Sequence, residues 1–200
     1  KGATDEIYVK DIFDHYADSF DKHLVEGLNY CVTQIMRELY EPHRKGDSLA
    51  ITDLGCGTGL CGPLFKGIAR QLVGVDLSQG MLKQAEKKAV YDRLQLSELT
   101  SALEDEYQTQ DLLIAADVLI YVGDLQPVFK AANQALQDGG QLLFSVETME
   151  NGDFRLAKNG RYLHSHSYIK ALAIEHGLHI ITQQASTLRN ENREPVEGEI

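Results

Sequence analysis

The chain has 200 residues and a formal charge of −11, with 30 acidic side chains against 19 lysines and arginines. That length suits one domain with a sizeable core. The acidic balance excludes the basic footprint that a nucleic acid or an anionic membrane surface demands. No apolar run approaches a membrane span and no signal peptide is visible, so a cytoplasmic location is expected. Cys31, Cys56 and Cys61 form an odd set without a C-x-x-C pair, which argues against both a disulfide framework and a zinc site. No metal is expected.

In chain order, Val9, Ile12, Phe13, Tyr16, Ala17, Phe20 and Leu24 recur close to helical spacing, predicting a helix over 5–24. A second helix runs over 28–40, closed by Pro42 and Gly46. Strand and helix then alternate: strand 49–54, helix 60–69, strand 71–77, helix 79–89 and strand 93–97. Strand 111–116, helix 124–137, strand 140–147, helix 167–176 and strand 178–188 follow. Beyond the polar turn Arg189–Pro195, a further strand would begin at Val196. Such alternation predicts an α/β fold, a Rossmann-like, doubly wound and mostly parallel sheet of about seven strands with helices on both faces. Its ligand site would lie beyond the carboxyl ends of the strands, where strand order reverses.

Residues 49–59, LAITDLGCGTG, carry the sharpest functional signal. An apolar strand ends beside an acid, Asp53, and breaks into Gly55, Gly57 and Gly59. Glycines there permit a sharp turn and close approach of a ligand to the main chain. Gly57, Gly59 and Gly62 also satisfy G-x-G-x-x-G, with Asp76 near the place of a ribose-binding acid. A carboxylate just before the turn would repel a pyrophosphate, however, and would suit a ligand carrying an ammonium and a sulfonium.

Asp53–Gly59 resembles the first motif of the class I S-adenosylmethionine-dependent methyltransferases. Gly74–Ser78, Leu96–Leu99, Ala115–Leu119 and Gly139–Phe144 are similar to that family's later motifs and stand in its order. The resemblance implies S-adenosylmethionine as cofactor, with S-adenosylhomocysteine as product. It implies that Asp76 binds the ribose, with Leu77 and Met81 beside it, that Glu98 and Leu99 meet the adenine, and that Asp117 meets the methionine end. Residues Tyr8–Ala17 and Phe20–Leu24, with Leu60–Pro63 and Gly160–Ser165, also resemble a bacterial group of predicted methyltransferases, some of which carry tetratricopeptide repeats. No such repeat is visible here. This likeness makes 1–46 a helical lid, with Tyr16 and Phe20 in contact with the cofactor, over a core of 47–200. It slightly favours His23 for the site over His15; both otherwise read as surface or capping residues.

Arg161–His166, read as a loop after the fifth strand, gathers two histidines, a tyrosine and an arginine. His164 is the candidate general base, and Tyr121 faces the methyl-acceptor side. The expected function is methyl transfer to a small-molecule substrate. The alternatives are an NAD(P)-dependent oxidoreductase, whose Tyr-x-x-x-Lys pairing is absent, and a non-catalytic S-adenosylmethionine-binding protein.

Overall fold

The structure is a computed structural model describing residues 6–17, 20, 30–191 and 194–200; the side chains of 6–9 and 15 lie outside that description. Helix α1 spans Glu6–Tyr16 and α2 spans Val32–Tyr40. Five strands, β1 (Leu49–Leu54), β2 (Ala69–Asp76), β3 (Arg93–Leu96), β4 (Gln110–Ala115) and β5 (Leu136–Phe144), form a sheet in the order β3-β2-β1-β4-β5. All its pairings are parallel. The short α3 (Gly62–Phe65) with a following 3-10 turn, α4 (Gln79–Lys87), α5 (Gln126–Ala135) and α6 (His166–Glu175) complete the helices described.

Strand β1 is buried along its whole length because it is the central strand, covered on both faces. The two faces separate by the two-residue period of a strand. Leu112 and Ile114 of β4 pack with Met36, Tyr40 and Phe65 on one face. Leu113 and Ala115 pack with Phe129, Ala132 and Leu172 on the other. The doubly wound arrangement is therefore observed.

The strand count differs from expectation. The main sheet holds five strands, and the chain passes from β5 through Ser145 into β6 (Val146–Met149) of a second sheet, ordered β7-β8-β6-β10-β9. Here β7 is Phe154–Leu156, β8 Tyr162–Ser165, β9 Ala185–Glu191 and β10 Glu194–Glu199. The expected closing hairpin is present as β9–β10. The predicted strand over 178–188 starts late, at Ala185. Its last exchange of backbone hydrogen bonds is Gln184 with Ile200, so 178–183 have no ladder partner among the described residues. The predicted helix 60–69 shortens to α3, which opens on Gly62 and gives way to a 3-10 turn containing Gly67, since glycine is a poor helix former. Of the predicted helix over 5–24, residues 5, 18, 19 and 21–24, including His23, lie outside the described residues.

Candidate functional site

Strand order reverses between β1 and β4, and a crevice of about 520 Å³ opens at their carboxyl ends. The turn after β1 is held by the Cys56 N–H donating to the Val75 carbonyl (2.9 Å) and the Gly59 N–H donating to the Cys56 carbonyl (2.8 Å). Gly55, Gly57 and Gly59 all have positive φ, yet they serve three different neighbours. A Cβ on Gly55 would lie 2.3 Å from Val118 Cγ2. A Cβ on Gly57 would meet nothing within 4 Å, and this glycine lines the crevice. A Cβ on Gly59 would stand 2.8 Å from the Tyr91 ring. Gly55 and Gly57 both line the crevice, Gly57 alone of the three has open space at its Cβ, and Gly59 does not line the crevice.

Asp76 closes β2 and turns its carboxylate to the same turn. One oxygen accepts from the Gly57 N–H and the other from the Ser78 N–H, each at 2.8 Å. Burial raises its pKa while these backbone donors oppose the rise. Asp53 is buried beneath the turn, and its Oδ2 accepts from the Tyr91 hydroxyl at 2.6 Å. Burial pushes its pKa up to about 7, against the pull of that hydrogen bond.

Asp117 follows β4 in a left-handed conformation, φ 56°, which aspartate tolerates better than most residues. Its N–H donates to Ser145 Oγ (2.8 Å), and its carboxylate accepts from Arg189 at 2.7 Å. Arg189 is wholly buried and also pairs with Glu147 and Glu191, while Arg161 pairs with Glu191. Two arginines and three acids thus form one network, of which Asp117, Arg161, Arg189 and Glu191 line the crevice. Burial raises the pKa of Asp117 and the arginines draw it back.

The crevice lining brings together Asp53, Gly55, Gly57, Asp76, Leu77 and Met81. It also includes Glu98, Leu99, Asp117 and Tyr121, with Tyr16 and Phe20 from the N-terminal segment. Glu98 Oε2 is already occupied as a cap, accepting from the Thr100 N–H (2.8 Å) and the Ser101 N–H (3.0 Å). The Phe13 ring meets Tyr121 edge to face at 5.5 Å. Helix α1 docks through Asp14 Oδ1, which accepts from Ser78 Oγ (2.6 Å) and the Gly80 N–H (2.9 Å). Ser78 Oγ in turn accepts from the Met81 N–H as the cap of α4.

His164 does not join them. The loop expected over 161–166 is instead mostly strand β8, with His166 opening α6, and His164 is fully buried within the strand. Its Nε2 lies 3.0 Å from the Gly123 carbonyl, its ring stacks on Tyr168, and burial lowers its pKa. It is absent from the crevice lining among the described residues. His166 is half exposed beside Glu199. Sequence reasoning missed Arg189, assigned to a polar turn, and Tyr91. No periodicity marked either, since each acts through a contact distant in sequence. No group of three or more histidine, cysteine or acidic side chains able to hold a metal occurs among the described residues. No described helix is long and apolar enough to cross a membrane.

Residues 52–144 match the family model described as "Methyltransferase domain". The chain is 29% identical over 138 residues, 62% of its own length and 25% of the other, to the biotin biosynthesis bifunctional protein BioHC of Saccharophagus degradans. It is 35% identical over 114 residues, 54% of its own length and 39% of the other, to the malonyl-[acyl-carrier protein] O-methyltransferase of Priestia megaterium. The chain thus spans well under half of either relative. In fold it is similar to magnesium protoporphyrin IX methyltransferase from Synechocystis PCC 6803, solved with bound S-adenosylhomocysteine. That likeness has a TM-score of 0.72 at 18% identity and covers 98% of this chain and 97% of that one. Residues 52–144 thus carry the match to a methyltransferase domain, and the fold over nearly the whole chain is the one that the Synechocystis methyltransferase adopts.

Proposed function

We propose that the chain transfers a methyl group from S-adenosylmethionine to an oxygen of a small-molecule acceptor. The observation that carries this reading is the open Gly57 cradle beside an Asp76 carboxylate fixed by two backbone N–H groups. A carboxylate held in that way is pre-oriented to accept from two vicinal hydroxyls of a ribose. Asp53 and Asp117 provide negative charge toward the cationic methionine end, and Leu77, Met81 and Leu99 provide an apolar wall. Glu98 borders the adenine. When bound, S-adenosylmethionine supplies a methyl carbon made electrophilic by its sulfonium.

What remains for the protein is alignment, which can remove about 7–11 kcal/mol of barrier. Phe13, Tyr16 and Phe20 act as the lid, excluding water from the crevice. Burial raises the pKa of Tyr121, so its phenol stays protonated at neutral pH and donates to the acceptor rather than deprotonating it. Arg161 stands beside it and orients the acceptor's polar end. His164, bound to Gly123 O inside β8, has no part in this mechanism. The oxygen acceptor is supported by the O-methyltransferase among the relatives. The acidic surface supports exclusion of nucleic acid, and three free cysteines suit a reducing compartment such as the cytosol. The motifs Tyr8–Ala17, Leu60–Pro63 and Gly160–Ser165 support placement in the bacterial group noted above.

Calorimetric titration with S-adenosylmethionine, S-adenosylhomocysteine and NAD tests the reading. Micromolar binding of the two sulfur nucleosides is expected, followed by radiolabelled methyl transfer to oxygen acceptors. Tight NAD binding without either nucleoside would instead establish the oxidoreductase reading.

A further inference from the structure

We infer that Tyr91 is a positioning residue of the cofactor site: its hydroxyl fixes the buried Asp53 carboxylate and keeps its negative charge directed at the crevice. The inference rests on the proposed role of Asp53 toward the cationic end of the cofactor.

Tyr91 does not line the crevice; it lies behind the glycine turn. Three glycines make room for its ring. A Cβ on Gly59 would stand 2.8 Å from it, and a Cβ on Gly62 or Gly74 3.0 Å. The distance at Gly59 is shorter than real side chains adopt, so a larger residue there would push the ring away, and at Gly62 and Gly74 the ring is one of several neighbours that a Cβ would crowd. Two of these glycines belong to the G-x-G-x-x-G pattern, so part of that pattern serves a tyrosine rather than a ligand. The ring so admitted places its hydroxyl 2.6 Å from Asp53 Oδ2.

The chemistry explains why such a contact is needed. Asp53 lies in a nearly dry position with 1% exposure. The titratable groups around it are Asp76 from β2, the Cys56 and Cys61 thiols from the turn and α3, Tyr30 ahead of α2, and Tyr91. No cation is among them. Asp76 opposes a charge on Asp53, and burial opposes it more. Tyr91 is the neighbour that stabilises the ionised form, because a phenol donates to a carboxylate most strongly when that carboxylate is charged. Removing one oxygen atom from Tyr91 therefore moves the ionisation of Asp53 to higher pH and, with it, the pH at which a cationic ligand is bound.

The test is Tyr91→Phe, with binding of S-adenosylmethionine followed by calorimetry between about pH 5.5 and 8. Carbon NMR of the ligand-free protein reads the Asp53 carboxyl directly, its resonance identified by Asp53→Asn. In the wild type, affinity rises as Asp53 ionises. In the variant, the carboxyl titration and the affinity curve both move up by about one pH unit, a roughly tenfold loss of affinity near pH 5.5 that narrows to about fivefold at neutral pH and shrinks further toward the alkaline end. Asp53→Asn removes this pH dependence. Superimposable curves for wild type and Tyr91→Phe overturn the inference, as does a uniform loss of affinity at every pH. If neither protein binds the nucleoside while the carboxyl still shifts, the cofactor reading has failed and the positioning role falls with it. Should Tyr91→Phe not fold, Gly59→Ala, whose Cβ would stand 2.8 Å from the ring and nearest to it, displaces the ring and must give the same shift.

Discussion

The carboxylate of Asp76 has two tasks, since it holds the Gly57 and Ser78 N–H groups and faces the crevice. Asp76→Ala removes charge-assisted hydrogen bonds worth about 1.5–3 kcal/mol each. S-adenosylhomocysteine affinity is expected to fall by at least about thirtyfold, read by calorimetry on protein whose folding is verified by circular dichroism. Arg189 is a residue of the other kind. It never reaches solvent, yet it pairs with Asp117, Glu147 and Glu191. Arg189→Met leaves the buried Asp117 without its ion-pair partner and Arg161 alone against Glu147 and Glu191, and should cost about 3–5 kcal/mol in urea denaturation. Asp76 stood out in the sequence because an acid ends an apolar strand. Arg189 did not, because nothing local separates a buried arginine from one in a polar turn.

At the scale of elements, the glycine turn divides into parts that a mutation series separates. Gly55→Ala drives a methyl group into Val118 at a position with φ 66°, so it should lose about 2–3 kcal/mol of stability. Gly57→Ala meets open space, so only the left-handed strain of about 1–2 kcal/mol applies. Its larger effect falls on S-adenosylhomocysteine binding, because the added methyl occupies the cradle. Thermal denaturation and calorimetry on the two variants should therefore rank them in opposite orders. The attachment of α1 is equally local. Asp14 caps the entry to α4 through Ser78 and Gly80, and Gly80 admits it because a Cβ there would stand 3.1 Å from the Asp14 backbone. Asp14→Ala should raise proteolytic cleavage within the N-terminal segment and speed hydrogen exchange at the Gly80 amide, at a cost of about 1–2 kcal/mol.

Across the whole molecule, burying carboxylates beneath one crevice has a consequence for stability against pH. Asp53 titrates at about 7 when folded, against 3.8 for the free group. Between those values the folded state binds more protons than the unfolded chain, so this group makes stability fall as pH rises from about 4 to 7. Above about 7 the loss is complete and constant. Asp53→Asn removes the contribution. Urea denaturation at pH 5 and pH 7 should then show the variant gaining on the wild type at the higher pH; equal differences at both values would refute the assignment. Ligand binding should offset the same loss, because a cation stabilises the ionised carboxylate.

The parallel sheet, the glycine turn and its two flanking acids could be read from residues 49–76 because they depend on local facts. Apolar runs of strand length, an acid at a strand end and glycines where φ must turn positive are all written in short stretches of chain. The register that carries β5 into a second sheet was not readable, nor was the conversion of Tyr162–Ser165 from loop to strand. Strand pairing is decided by partners far away, and β8 exists only because β6 and β7 flank it. The same reason removed His164 from the site and brought Arg189 and Tyr91 to it. A side chain's chemistry is a property of the residue; whether it meets solvent, a carbonyl or a buried carboxylate is decided only when the tertiary fold closes.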